Sequence, residues 1–163
     1  MITAQDIIDQ LNTIAPFNIA ESWDNSGLQV GNPEWEASKI LVALDVTSAV
    51  MTEAVQTGSN LVLTHHPLMM SPEKSVDFRN LPGSVIETCA KHRISVVSAH
   101  TNLDKAASGL NDYFAAKIGL THLLGPLSKG NSAVEQDHDP GIGRLAELES
   151  QMTLKQFLYK IKT

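Results

Sequence analysis

The sequence predicts an α/β fold, with a mostly parallel sheet that carries helices on both faces. Three short apolar runs, at residues 39–45, 60–64 and 94–98, are separated by segments of helix length. Polar and apolar residues alternate only weakly within each run, which is typical of strands that are buried on both faces. The length of 163 residues is that of a single ordinary domain.

Capping residues mark the predicted helices. Thr3 and Asp6 form a capping-box pattern before the first helix, and Pro16 ends it. Thr47 or Ser48 caps the second helix, which Gly58 closes. Further helices are predicted at about 83–92, 110–118 and 153–163. Residues 21–31 are a polar, turn-rich segment that ends in a short apolar piece.

The predicted organisation has three parts. Residues 1–127 form the α/β domain, residues 128–143 a polar loop or linker, and residues 144–163 the start of a C-terminal part. The last helix carries an apolar stripe at helical spacing that needs a surface to pack on. We therefore expect a fragment that lacks the rest of its C-terminal part, and a chain that self-associates. The stripe consists of Leu154, Phe157, Leu158 and Ile161.

The amino-acid composition argues against several classes of function. Twelve Lys and Arg against eighteen Asp and Glu leave a net charge of −6, which argues against nucleic-acid binding as a main task. The single cysteine, Cys89, rules out an internal disulfide and a cysteine-rich zinc site, and indicates a reducing, cytoplasmic location. No apolar run approaches the roughly 18 residues of a membrane span, and the N-terminus lacks signal-peptide features.

Candidate metal ligands follow the predicted strands. The carboxyl ends of parallel strands meet at one edge of a sheet, and here they are followed by Asp45, by His65 and His66, and by His100 and Asp104. Imidazole and carboxylate are ligands of zinc, iron and manganese. Adjacent residues of a strand point to opposite sides, so His65 and His66 serve different ions, or a turn before Pro67 redirects one of them. The alternative is that one imidazole satisfies backbone carbonyls and the other is exposed.

The other polar residues near the strand ends have competing interpretations. Asp104 is a ligand, a residue that orients a ligating histidine, or the N-cap of the following helix. His100 is expected to support the site rather than to ligate, because it lies nearer the strand body. Asp24 and Asn25 suit an Asx-type turn. The sequence has no glycine-rich phosphate loop and no G-x-S-x-G motif, and Cys89 inside a helix is not expected to be a nucleophile.

Four segments resemble a known family. In their order they read ESWDNSGLQVG at 21–31, LTHHPLMM at 63–70, SAHTNLDKAASGLND at 98–112 and GIGRLAELESQMTLKQFL at 141–158. Together they resemble the Nif-three-like family, whose members are often labelled GTP cyclohydrolase I type 2 homologues. The resemblance implies an α/β subunit of a toroidal homohexamer with two divalent metal ions per subunit.

The family's metal pattern transfers to this chain in part. It implies that His65 and His66 each hold one ion and that Asp104 joins His66 on its ion. The remaining family ligands are a His and a Glu four residues later, near the C-terminus, and this sequence has no His-x-x-x-Glu. We therefore expect zero or one ion per chain here, and two in a longer chain.

The resemblance leaves two functions open. The first is a dinuclear-metal hydrolase, like a cyclohydrolase, that acts on a nucleotide-like small molecule. The second is a non-enzymatic metal-binding assembly or adaptor protein. The resemblance supports the fold and the metal ligands more strongly than it supports a substrate.

Overall fold

A four-stranded mixed sheet forms the centre of the protein. The computed structural model describes residues 1–127 and 140–162. The sheet order is β1-β4-β3-β2, with β2, β3 and β4 parallel and β1 antiparallel to β4, so the predicted α/β class is confirmed. The strands are β1 Gly27–Val30, β2 Ile40–Ala43, β3 Leu61–Thr64 and β4 Ser95–Ser98.

The described helices agree with the predicted ones and add two short elements. The additions are α4, in the segment after β4 that the sequence analysis treated as a loop, and a 3-10 turn at Phe17–Ile19. The α-helices are α1 Ala4–Ile14, α2 Ser48–Thr57, α3 Gly83–His92, α4 Thr101–Lys105, α5 Leu110–Lys117 and α6 Leu154–Lys160. Within the described ranges, none of the helices is both long enough and apolar enough to span a bilayer.

The predicted caps are present. The Thr3 side chain accepts from the backbone N–H of Asp6, while the Asp6 carboxylate accepts from the backbone N–H of Thr3, which completes the capping box of α1. The Thr47 side chain accepts from the backbone N–H of Val50 at the start of α2. Gly58 ends α2 in the left-handed region that glycine adopts without steric cost.

Apolar clusters lie on both faces of the sheet. Helices α2 and α3 cover one face, and α1 covers the other. The central strands β3 and β4 are therefore buried on both sides, as their weak alternation predicted. The cluster under α2 and α3 contains Val46, Met51, Ala54, Val62, Val85, Cys89, Ile94 and Val96. The cluster under α1 contains Ala4, Ala37, Leu61 and Val97.

Strand β2 departs from the expectation of burial on both faces. It is an edge strand, and Val42 is 70% exposed. The apolar residues of α1 pack against β1, β3 and β4 in the cluster under α1. One face of β2 is therefore left uncovered. Periodicity alone cannot separate an edge strand from a central one when both are apolar.

Strand β1 was not predicted as a strand. It has four residues, and its pairing with β4 shifts register between Leu28 and Val30, so no regular alternation marks it. Gly31 follows it with a φ of +118°, and a Cβ at this position would lie 2.8 Å from the Ser95 Cα. The glycine therefore permits the close approach of this segment to β4.

A small second sheet pairs β5, His122–Gly125, with β6, Leu145–Glu147, in antiparallel register. The pairing joins residues from both sides of the predicted linker, of which 128–139 lie outside the described residues. The three-part division of the chain stays a prediction. Helix α6 begins as predicted, with Thr153 and Gln156 in a capping box. Three residues of its apolar stripe are exposed: Leu154, Leu158 and Ile161.

Candidate metal centre

Three imidazoles converge at the carboxyl edge of the parallel strands. His65 and His66 follow β3, and His100 follows β4 as the N-cap of α4. One ligand atom from each lies within 4.8 Å of the others. The ring centroids are 5.0 Å apart for His65 and His66, 5.1 Å for His65 and His100, and 5.6 Å for His66 and His100. His100 therefore belongs to the imidazole cluster, where the sequence analysis gave it only a supporting role.

A turn after β3 allows two consecutive histidines to approach each other. Strand β3 ends at Thr64, whose hydroxyl donates to the backbone carbonyl of His66 at 2.9 Å. The Ser98 hydroxyl donates to the same carbonyl at 3.3 Å, and the backbone N–H of His66 donates to the carbonyl of Leu44 at 3.0 Å. These bonds hold the chain in a bend, so the alternation of an extended strand no longer applies.

Each imidazole of the cluster donates its Nδ1 proton to a fixed acceptor. Carbonyl and carboxylate oxygens only accept, so each neutral ring carries its proton on Nδ1 and a lone pair on Nε2. The Nε2 atoms are thus the available ligand atoms, as in metal sites whose histidines are oriented by a second hydrogen bond. The pairs are His65 with the Ala99 carbonyl at 2.9 Å, His66 with Asp45 Oδ1 at 2.7 Å, and His100 with Asp24 Oδ1 at 2.8 Å.

Asp24 is the buried anchor of His100. Its side chain has no exposed surface, and it accepts from the hydroxyls of Ser26 and Thr101 in addition to the imidazole. Burial raises the pKa of this carboxyl, but the hydrogen bonds from Thr101, His100, Ser26 and the backbone of Asn25 outweigh it and lower the pKa overall. The backbone N–H of Asn25 also donates to Asp24 Oδ1 at 2.7 Å, but this bond joins adjacent residues, whereas the predicted Asx turn uses the N–H two residues on.

Asp104 completes the edge of the cluster. Its Oδ1 atom lies 3.7 Å from His65 Nε2, whereas the family resemblance places Asp104 with His66 on one ion. Asp104 lies inside α4, and Gly109 is the N-cap of the next helix, which removes the capping interpretation. Burial raises the pKa of Asp104, and the neighbouring imidazoles of His65 and His100 oppose this shift.

A buried polar network lies next to the imidazole cluster. Lys105 Nζ lies 2.9 Å from Glu21 Oε1, and the lysine side chain has no exposed surface. Asn102 donates to the Ala15 carbonyl at 2.7 Å and accepts from the Ser26 hydroxyl at 2.9 Å. Sequence reasoning missed this network. Its signal was the concentration of polar residues in two short segments, 21–26 and 101–105, that the fold brings together.

Two further histidines of the described residues, and the cysteine, lie outside the cluster. His92 ends α3 and His122 begins β5, while His138 is outside the described residues. Cys89 is fully buried in α3, and burial raises its pKa to about 12. The thiol is therefore protonated at neutral pH, in agreement with the expectation that it is not a nucleophile.

The chain is similar to known proteins in both sequence and fold. The profile of the family described as Duf34/NIF3 (NGG1p interacting factor 3) matches residues 2–163. A Clostridium perfringens protein named GTP cyclohydrolase 1 type 2 homolog is 38% identical, over 97% of this chain and 58% of its own length. The chain thus spans little more than half of that relative.

Two solved structures are similar as well. A hypothetical protein from Staphylococcus aureus has a TM-score of 0.83 and 29% identity, over 98% of this chain and 63% of its own. Reduced HcgD from Methanocaldococcus jannaschii has a TM-score of 0.81 and 31% identity, over 99% and 59%. Since the family profile covers residues 2–163, we conclude that the chain belongs to the Duf34/NIF3 family.

Proposed function

We propose that this chain binds a divalent metal ion through His65, His66 and His100, with Asp104 as the neighbouring carboxylate. The observation that carries the proposal is the fixed Nδ1 hydrogen bond of each imidazole, which leaves three Nε2 lone pairs at one edge of the sheet. Neutral imidazole and carboxylate suit zinc, iron and manganese.

The spacing of the donors also supports a metal site. Two nitrogen ligands of one zinc ion lie at most about 4 Å apart, because each Zn–N bond is about 2.1 Å long. The donor atoms of the cluster lie within 4.8 Å of one another, so a small contraction of the side chains brings them onto one ion. We propose one ion per 163-residue chain, because two ions that share this donor set repel each other without a further bridging ligand.

Metal analysis tests this proposal. The purified chain is loaded separately with zinc, manganese and ferrous iron, dialysed, and measured by mass spectrometry of the metal. We expect close to one ion per chain, with large losses in His65→Ala, His66→Ala and Asp104→Ala. The control is His122→Ala, which removes an exposed imidazole away from the cluster and should keep its metal. Unchanged metal content in His66→Ala, or two ions per wild-type chain, would contradict the proposal.

We further propose that the protein is a metal-dependent hydrolase with a nucleotide-like substrate. The name of the Clostridium perfringens relative, which refers to a GTP cyclohydrolase, supports this reaction class. A bound divalent ion supplies Lewis-acid activation of water and of the bond that is attacked. The residues of the chain orient the donors, since hydrogen bonds to Asp24, Asp45 and the Ala99 carbonyl fix the tautomers of the three imidazoles.

A turnover assay separates the hydrolase from an adaptor. Metal-loaded protein is incubated with GTP, and products are resolved by liquid chromatography. A hydrolase gives products in the wild type and none in His65→Ala. Metal binding without turnover, together with a partner that is retained by the metal-deficient variant, favours the non-enzymatic assembly or adaptor.

We also propose that the chain self-associates in the cytoplasm, with a hexamer as the implied assembly. Exposed apolar side chains on and directly after β2 and on α6 support self-association, and the single buried cysteine is compatible with a reducing compartment. The exposed residues include Val42, Leu44 and Leu158. Light scattering coupled to gel filtration should show an oligomer that Val42→Lys or Leu158→Lys weakens. A monomer at every concentration would contradict this proposal.

A further inference from the structure

Asp104 differs from the three imidazoles of the cluster in how it is held. Each imidazole has its own hydrogen bond through Nδ1, whereas in the described part of the chain no hydrogen bond reaches the Asp104 carboxylate. Its Oδ1 atom lies 3.7 Å from His65 Nε2, which is too long for a hydrogen bond. The position of the carboxylate is therefore set by the backbone of α4, the helix that carries it.

Helix α4 depends on side chains from other segments. It has only five residues, and a helix of that length is not stable by itself. The carbonyls at a helix end also lack partners within the helix. Here the Asn111 side-chain amide donates to the Asp104 carbonyl at 2.8 Å. Arg144 Nη2 donates to the next two carbonyls, those of Lys105 and Ala106, at 3.3 Å and 3.2 Å.

Arg144 joins α4 to the segment that precedes β6. It lies in the sequence segment 141–158, and its side chain is only 11% exposed. Its Nε atom donates to the Asp112 carboxylate, and its Nη1 atom donates to the Gly143 carbonyl at 2.7 Å. All three guanidinium nitrogens thus have acceptors. A planar guanidinium with several bonds in a fixed geometry is a link that lysine cannot reproduce.

We propose that Arg144 is a positioning residue for Asp104. By holding the carbonyl end of α4, the guanidinium keeps the Asp104 carboxylate beside His65 at the edge of the imidazole cluster. This inference rests on the proposed metal site. It adds that a side chain from the segment before β6, which supplies no ligand itself, determines how well the carboxylate serves that site.

A double-mutant cycle with Asp104 tests the inference. Zinc affinity is measured by competition with a chromogenic chelator for wild type, Arg144→Met, Asp104→Ala and the double variant. Arg144→Met should weaken zinc binding by about 10–100-fold in the wild-type background, the usual cost of losing a residue that orients a ligand. In the Asp104→Ala background it should cause little further loss, because the group that it positions is then absent. Arg144→Lys should recover only part of the affinity.

Two further variants separate positioning from a general loss of stability. Val85→Ala removes apolar volume from the cluster under α2 and α3, so it should lower stability and leave the zinc affinity unchanged. Arg79→Met removes a guanidinium that is 86% exposed, and it should change neither property. Hydrogen exchange of residues 101–106 in metal-free protein is a readout that needs no zinc. Exchange should be faster in Arg144→Met than in Val85→Ala.

The outcomes distinguish this inference from the proposed function. If wild type and Arg144→Met bind zinc equally, or if Arg144→Met costs as much without Asp104 as with it, the inference is overturned and the metal site stands. A wild type that binds no zinc contradicts the metal site instead. The exchange measurement then decides the inference: faster exchange of residues 101–106 in Arg144→Met supports the hold on α4, and unchanged exchange overturns it.

Discussion

His100 donates its Nδ1 proton to Asp24 at 2.8 Å, and this pair links the segment before β1 to the N-cap of α4. The carboxylate is buried, while the imidazole faces the cluster. Asp24 thereby sets both the orientation and the tautomer of His100. His66 has a comparable partner in Asp45, but that pair is half-exposed.

Asp24→Asn should weaken metal binding by about 10–100-fold, the usual cost of losing a residue that orients a metal-ligating histidine. The amide cannot accept from all the donors that surround the Asp24 carboxylate. Competition with a chromogenic chelator measures the affinity. Asp45→Asn is the comparison, and its effect should be smaller because water replaces the lost contact. If Asp45→Asn weakens metal binding as much as Asp24→Asn or more, burial of the carboxylate does not determine how much it contributes to metal affinity.

Lys105→Met should lower the free energy of unfolding by about 3–5 kcal/mol, because it leaves a buried carboxylate without its cation. Urea titration followed by circular dichroism measures the loss. The double variant Glu21→Gln and Lys105→Met should recover part of it, since the uncompensated charge is then removed. If the double variant is no more stable than Lys105→Met, the ion pair is not the source of the loss.

Acid should release the contact between α5 and the segment before β6. Arg144 forms an ion pair with Asp112. Burial raises the pKa of Asp112, but the hydrogen bonds from Arg144 and Ser108 outweigh it, so the pKa is lowered overall. Its contribution to stability is present above the unfolded pKa of about 3.9 and is lost as the pH falls through the folded value. Asp112→Asn should therefore be less stable than wild type at pH 7, by about 1–3 kcal/mol.

Urea titrations of wild type and Asp112→Asn at several pH values measure this difference. It should shrink as the pH falls through the folded pKa of Asp112, because the wild-type carboxyl is then neutral as well. Asp9→Asn, at an exposed acidic position on α1, is the control and should show little difference at any pH. If the difference in the free energy of unfolding between wild type and Asp112→Asn stays constant down to the lowest pH measured, the ionised Asp112 carboxylate is not its source.

Cys89 should be unreactive in the native protein. Burial raises the pKa of the Cys89 thiol from the ordinary value of 9.0 to about 12, so the fold favours the neutral thiol. This contribution to stability is complete below pH 9 and is lost as the pH rises from 9.0 towards about 12. A colorimetric thiol reagent at pH 8 should react within seconds in urea and very slowly without it. Rapid reaction of the native protein would show that α3 opens readily.

Several features of the fold could be predicted from local sequence signals. The three parallel strands follow from continuous apolar runs, and the starts of α1, α2 and α6 follow from N-caps that involve neighbouring residues. The shared edge for His65, His66, His100 and Asp104 follows from the rule that parallel strands end on the same side of a sheet. Each of these signals acts over a few residues or through a general rule of topology.

Other features depend on contacts between segments that are distant in sequence. The burial of Asp24 requires Thr101 and His100, which are 77 and 76 residues away. The exposure of β2 depends on which strands α1 covers, and the strand identity of β1 depends on its pairing with β4. The sequence by itself therefore determined the three parallel strands, the starts of the capped helices and the edge where the polar residues gather. Only the tertiary structure decided that His100 joins the cluster and that Asp24 anchors it, because burial and hydrogen bonding between remote segments arise only when the chain has folded.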